Sequence, residues 1–301
     1  MTSLLQAPEI RTSTSSRSVD RVRSLGYDDF IEHYVIPRRP VILEEAISFW
    51  PALHKWTPDF WRERYGDRTI EIDGKSLPLR DLIRMALESN VAAPAPYYRN
   101  IPMRRTYPEL LPDISPAPEC STPNWFHSKI FLPIRDKIAG GGGNYELFIG
   151  GAGRSFPYLH FDSPGAHTFI YQICGRKAFI LFEPSDGQFL YHGQDVGFSV
   201  SEIPNVENVD LEKYPLFAKA TRIDCEIGPG DTLFMPCGWW HTARMLSFSI
   251  GLGIDVANQS NWDDVMSYMA RKAANKNPLL ALGYMSYMRI AGIVMPMISN
   301  L

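Results

Sequence analysis

The sequence predicts a mainly β fold, a sandwich or barrel of short strands with α additions at both ends. Three observations predict it. From Trp125 onward short apolar runs recur, at Tyr145–Ile149, Thr168–Ile173, Lys177–Phe182, Thr232–Met235 and Phe248–Ile254. Glycine or proline separates them, as at Gly140–Gly143, Pro164-Gly165, Glu183-Pro184 and Pro229-Gly230, and no helical pattern intervenes. Finally, 24 prolines, 22 glycines and 12% aromatics favour strands joined by turns over a helical bundle. With 45% hydrophobic and 21% charged residues over 301 positions, the chain can bury a sizeable core, which rules out wholesale disorder.

The elements follow in order. Residues 1–24, with Thr12-Ser-Thr-Ser-Ser16 among them, are polar and are expected to be mobile. Order is expected from residue 25, where Asp28 can cap a short helix running through Tyr34. Pro40–Leu43 reads as a strand and Trp50-Pro51 as a turn. Thr57 followed by Pro58 is an N-cap with proline at the first helical position, opening a helix that ends near Gly66. Thr69–Ile72 alternates as a strand, and Leu79–Ser89 has the spacing of an amphipathic helix. Residues 92–124, rich in proline and tyrosine, give no clear element. Residues 25–124 thus read as an N-terminal α/β extension, 125–258 as the β core, and 259–301 as a C-terminal helical region. In that last region Asp263–Asn275 suits a helix and Pro278–Leu301 is strongly apolar. Ser286, Arg289 and Pro296 interrupt the apolar run, so a helix packed on the core or paired with a second copy is preferred to a membrane span.

Charge and cysteines bound the function. The balance of 30 Lys+Arg against 33 Asp+Glu, a net −3, supplies no global field for nucleic acid or an anionic membrane, and neither partner is expected. Cys120, Cys174, Cys225 and Cys237 form no C-x-x-C pair, which argues against a zinc knuckle or a thioredoxin-like motif. The chain opens without the pattern of a secretory signal. Reduced thiols and a cytoplasmic location are expected.

The sharpest local feature is Tyr158-Leu-His-Phe-Asp162. In an extended segment His160 and Asp162 point the same way, which supplies two members of a 2-His-1-carboxylate triad. His241 stands out as the third. A Pro229-Gly-Asp turn feeds an apolar strand, and a Pro236-Cys-Gly238 break presents it beside Trp239 and Trp240. Each piece alone is ordinary, since H-x-D pairs are common and a histidine after two tryptophans is usually a core residue. Their conjunction is not.

These segments resemble the JmjC and cupin-like 2-oxoglutarate oxygenases. His160-Phe-Asp162, the hairpin Gly175-Arg-Lys177 running to Phe182-Glu-Pro184, and Gly228–His241 look like the family's motifs. Arg39–Leu43, Trp50-Pro51 and Lys55-Trp56 are similar to the entry region of its asparaginyl- and lysyl-hydroxylase branch. The resemblance spans roughly residues 27–258. It implies a double-stranded β-helix, a jelly-roll of the cupin-like JmjC kind, with the N-terminal extension and C-terminal helices already read. The implied cofactors are Fe(II), held by His160, Asp162 and His241, and 2-oxoglutarate as co-substrate, with O2 as oxidant. Three ligands on one face leave positions for a bidentate keto-acid and dioxygen, whereas a closed thiolate set would favour zinc.

Lys177 matches the family lysine that pairs with the far carboxylate of 2-oxoglutarate, a charge that would be costly to bury alone. Tyr145 and Thr168 are candidates for the hydroxyl that assists it. Pro157, Ile170 and Asp255 depart from residues that relatives carry around this pocket. The implied activity is hydroxylation of a protein or peptide side chain. A small-molecule hydroxylase is the rival, and a lysine demethylase or a non-catalytic cupin-like binding protein ranks lower. The apolar tail, together with the habit of this branch, implies a homodimer built by C-terminal helices.

Other features keep ordinary readings. Gly140–Gly143 lacks a following Lys-Ser/Thr and reads as a turn, and Gly151-Ala-Gly153 lacks the βαβ setting of a dinucleotide site. His127, His167 and His192 read as structural or exposed, while Tyr97-Tyr98-Arg99 are candidates for the pocket mouth.

Overall fold

The computed structural model describes residues 18–128, 144–162, 165–193, 199–274 and 278–298. The glycine run 140–143, Pro164 and the first 17 residues lie outside the described residues.

Strand β1 (Asp20–Arg23) falls within the stretch expected to be mobile, yet it pairs in parallel with β2 (Val41–Glu44). Arg21 fastens it, reaching Glu44 at 2.9 Å and Asp231 at 2.8 Å. Helix α1 (Tyr27–Phe30) continues as a π-helical turn over Ile31–Val35. Its N-cap is Gly26, not Asp28. The aspartate sits inside the first turn, where its charge complements the helix dipole. After α2 (Ala52–Lys55), Thr57 caps α3 (Pro58–Tyr65) as expected, its Oγ1 accepting from the Phe60 N–H at 3.1 Å. The hairpin β3 (Thr69–Ile72) and β4 (Lys75–Pro78) leads into α4 (Leu79–Glu88), which buries Leu79, Leu82, Ile83 and Ala86 on one face. The stretch that gave no clear reading holds β5 (Tyr98–Pro102), α5 (Met103–Thr106) and 3-10 turns.

The core strands are β6 (Glu146–Gly150), β7 (His167–Cys174), β8 (Lys177–Phe182), β9 (Ile223–Ile227), β10 (Thr232–Met235), β11 (Trp240–Met245) and β12 (Ser249–Val256). They form a seven-stranded sheet, β1-β2-β10-β7-β12-β6-β5, and a three-stranded sheet, β11-β8-β9, without closing a barrel. The mainly β expectation therefore holds, and the N-terminal strands extend the large sheet directly.

Side-chain parity divides the large sheet into two environments. Leu147, Ile149, Phe169, Tyr171 and Ile173 pack outward with Trp50, Trp56 and Trp61 of the N-terminal helices. Glu146, Phe148, Thr168, Ile170, Gly253 and Asp255 look inward. With Lys177, Phe179, His241 and Ala243 of the small sheet they line a cavity of about 360 Å3.

At the C-terminal end, α6 (Trp262–Ala274) and α7 (Pro278–Ile298) pack on each other and on Trp125, Phe126 and Ala166. The Trp262 indole donates to Met288 O at 2.9 Å and lies against Gly292, where a β-carbon would come within 2.6 Å of it. Among the described residues no helix is long and apolar enough to cross a membrane.

Candidate metal centre

The three predicted ligands meet. His160 and His241 exchange backbone hydrogen bonds, His160 N–H to His241 O at 3.1 Å and the reverse at 2.6 Å, so their side chains emerge side by side. Asp162 follows two positions on, while Phe161 between them turns away to pack on Trp240 with ring centroids 4.8 Å apart. The Asp162 oxygens lie 3.5 Å from each histidine Nε2, and all three ligating atoms fall within 4.8 Å of one another.

Outer contacts aim the donors. His241 Nδ1 faces Trp239 O at 3.1 Å and His160 Nδ1 faces Tyr158 O at 3.4 Å. A carbonyl only accepts, so each Nδ1 carries the proton and each Nε2 offers its lone pair inward. Phe156 stacks on the His160 ring at 4.6 Å. Burial pushes His241 down to about 4, against the opposing pull of Asp162, so its imidazole is neutral at pH 7. Burial alone would raise Asp162. The adjacent histidines and a Thr168 hydrogen bond outweigh it and hold the carboxyl below its ordinary range. Two aimed imidazoles and an ionised carboxylate fit a divalent metal of the iron type. The Cys237 thiol is directed to Asp264 instead, at 3.5 Å.

Lys177 lies in the same cavity, 4% exposed, with no carboxylate partner among the described residues. Its Nζ sits 5.4 Å from the centre of the Phe148 ring, and burial pushes its pKa down to about 8. An unpaired buried cation beside a metal triad fits an anionic co-substrate.

The two hydroxyl candidates fare differently. Thr168 lines the cavity, but its hydroxyl donates to Asp162 Oδ2 at 2.5 Å and touches Asp255 Oδ1 at 3.3 Å, so it holds the Asp162 carboxylate. Tyr145 is not brought to the cavity. It points outward, its ring 5.8 Å from Trp50 and 5.9 Å from Tyr171, and its hydroxyl is buried without a partner among the described residues. Strand parity is the reason, because Glu146 and Phe148 take the inward positions of β6.

Of the departing positions, Ile170 and Asp255 line the cavity. Pro157 instead faces a separate groove with Arg154 and Glu207. Burial, with Asp162 and Glu146 close by, raises Asp255 well above the carboxylate range. Sequence reasoning missed Asn100 and Glu146, joined across the mouth by a 2.9 Å bond from Nδ2 to Oε2, and the wall residues Phe148 and Phe156. Tyr97 reaches the cavity as expected, whereas Tyr98 turns away toward Tyr107. His167 is structural, its Nδ1 accepting from the Cys237 N–H at 3.1 Å and its Nε2 facing Ser260 at 2.8 Å.

Two sheets enclosing a His-Asp-His centre define the JmjC and cupin-like class of proteins. Residues 28–268 match the family described as "Cupin-like domain", and the chain belongs to it. It is similar to the tRNA wybutosine-synthesizing protein 5 of Mus musculus, 27% identical over 255 residues that cover 78% of this chain and 76% of that one. It is also similar to the lysine-specific demethylase JMJ21 of Arabidopsis thaliana, 28% identical over 283 residues, 90% of this chain but 29% of the relative. Lysine-specific demethylase 8 of Xenopus tropicalis is 25% identical over 250 residues, 79% of this chain and 52% of that protein.

Proposed function

We propose that the chain is an Fe(II)- and 2-oxoglutarate-dependent dioxygenase that hydroxylates a protein or peptide side chain. One observation carries the reading: the aimed His160–Asp162–His241 donor set shares a single cavity with the unpaired ammonium of Lys177. His160, Asp162 and His241 would hold the iron, and Lys177 would pair with the far carboxylate of the keto-acid. Bound together, the metal and the keto-acid supply the activation of dioxygen. The chain's own part is to orient. Thr168 keeps Asp162 ionised and in place, and Phe156 fixes the His160 ring.

The rival reading is a small-molecule hydroxylase, favoured by a cavity of only about 360 Å3. The relative named for wybutosine synthesis adds a tRNA base as a third substrate class, against the expectation drawn from a net charge of −3. Demethylation and binding without turnover rank below these. Anaerobic addition of Fe(II) and 2-oxoglutarate is expected to give the visible charge-transfer band of the chelate, and air then gives succinate. A protein showing neither is not an oxygenase. Mass spectrometry of extract peptides, metabolites and tRNA digests, searching for a gain of one oxygen atom, separates the substrates, and a gain confined to metabolites or nucleosides overturns the peptide reading.

We also place the protein in the cytoplasm, on its four unpaired cysteines, and as a homodimer through α7. Leu279, Leu282, Ile290, Ile293 and Met297 are exposed along one face of that helix, a stripe that a second copy covers in a two-fold pair. Replacing Ile290 and Ile293 together by glutamate should halve the mass seen by light scattering. An unchanged mass refutes this dimer.

A further inference from the structure

Behind Lys177 the small gap between the sheets holds a polar side chain that neither the sheet ladder nor the metal centre uses. Gln172 is fully buried on β7, on the inward parity of Thr168 and Ile170. Its Nε2 donates to Cys174 O at 2.7 Å and Gly175 O at 3.2 Å, and meets Ser249 Oγ at 2.9 Å. Carbonyl oxygens cannot donate, so the amide has one orientation only. Its Oε1 therefore points the other way, and there it has no hydrogen-bond partner among the described residues. Opposite runs β12, with Gly251 paired to Gln172. A β-carbon on Gly251 would sit 3.2 Å from Gln172 Oε1 and 3.3 Å from Lys177 Nζ. The orphan acceptor and the unpaired ammonium thus flank one point, and the absent side chain leaves the space between them. Each is costly to bury alone, and their charges complement one another.

We propose that Gln172 is a positioning residue for Lys177, and that Gly251 sets the depth of the anion subsite, so that the pair selects a keto-diacid of five carbons. An ammonium has three N–H groups, so with co-substrate bound Gln172 Oε1 would take one and leave two for the distal carboxylate. A methyl group at position 251 fills the gap and moves Nζ toward the metal, shortening the span available to the co-substrate. The inference rests on the reading of Lys177 as the keto-acid anchor.

The test is anaerobic titration of the Fe(II)-loaded protein with 2-oxoglutarate, its four-carbon homologue oxaloacetate, and pyruvate, followed by chelate absorption. Pyruvate binds metal through the same keto-acid end but has no distal carboxylate. Gly251→Ala is expected to weaken 2-oxoglutarate about tenfold and oxaloacetate by less than about twofold. Gln172→Leu is expected to weaken both diacids about tenfold, with pyruvate unchanged in either variant. Gln172→Met, which keeps the side-chain length, should match Gln172→Leu. Equal loss for pyruvate marks a merely structural role and overturns the proposal, as does unchanged 2-oxoglutarate affinity. A wild-type protein that forms no chelate with any keto-acid overturns the iron reading itself, a result distinct from both.

Discussion

His160→Ala should abolish the keto-acid chelate band and succinate formation while the protein remains folded. The fold survives because the contribution of residue 160 to the small sheet is made by its backbone, in the paired bonds with His241, and alanine keeps both. What is lost is one of three donors that lie within 4.8 Å of one another. Removing an outer partner of a metal ligand typically costs about 10–100-fold in metal affinity or activity, and removing a ligand exceeds that range. Thr168→Val supplies the comparison. It deletes the 2.5 Å bond to Asp162 but no ligand, so the band should persist at iron concentrations raised by about 10–100-fold. Absorption titration with iron checks both, with circular dichroism confirming the fold. A band retained by His160→Ala would place the metal elsewhere. Equal behaviour of the two variants would remove the distinction between ligand and support.

The residues that converge on the centre were legible because their constraint is local. His160 and Asp162 are fixed by two-residue parity, and His241 by the Pro236–Gly238 turn that ends one strand and aims the next, with Gly238 at a φ of 82°. Tyr145 shows where such reading stops. Both faces of β6 are buried, so alternation says that residues 145, 147 and 149 share a side without saying which side holds the cavity. The inward pair proved to be Glu146 and Phe148, and a hydroxyl expected near the keto-acid lies instead among Trp50 and Tyr171.

Long-range pairing hid other elements. β1 is four residues reading Asp-Arg-Val-Arg, and it is ordered by Glu44 and by Asp231, which is distant in sequence. β9 carries alternating polar residues against β8, and no continuous apolar run announces it. Short helices such as α3 were read well, because a threonine cap followed by proline is complete within four residues.

Lys177→Met should make the ligand-free protein more stable while removing its response to 2-oxoglutarate. Burial lowers the lysine pKa from 10.5 to about 8, so the folded state binds the proton less well than the unfolded chain does. Folding therefore carries a penalty that is complete below pH 8, shrinks as the pH rises toward 10.5, and vanishes above it. The interval corresponds to about 3 kcal/mol, and the side chain is too buried for solvent to screen much of it. Methionine fills a similar volume without a charge, so at pH 7 the variant should gain about 3 kcal/mol in denaturant unfolding, and near pH 11 it should gain little. The same cation is what the distal carboxylate of a keto-acid would pair with. In the metal-free protein, where the keto-acid end has no metal to bind, 2-oxoglutarate should therefore raise the melting temperature of the wild type and leave the variant unmoved. A variant less stable than wild type at pH 7 would mean that Lys177 is satisfied in the free protein. One still stabilised by 2-oxoglutarate would mean that the keto-acid is anchored by another group. If both expectations hold, the lysine is retained at the expense of fold stability, which is the signature of a residue kept for what it binds.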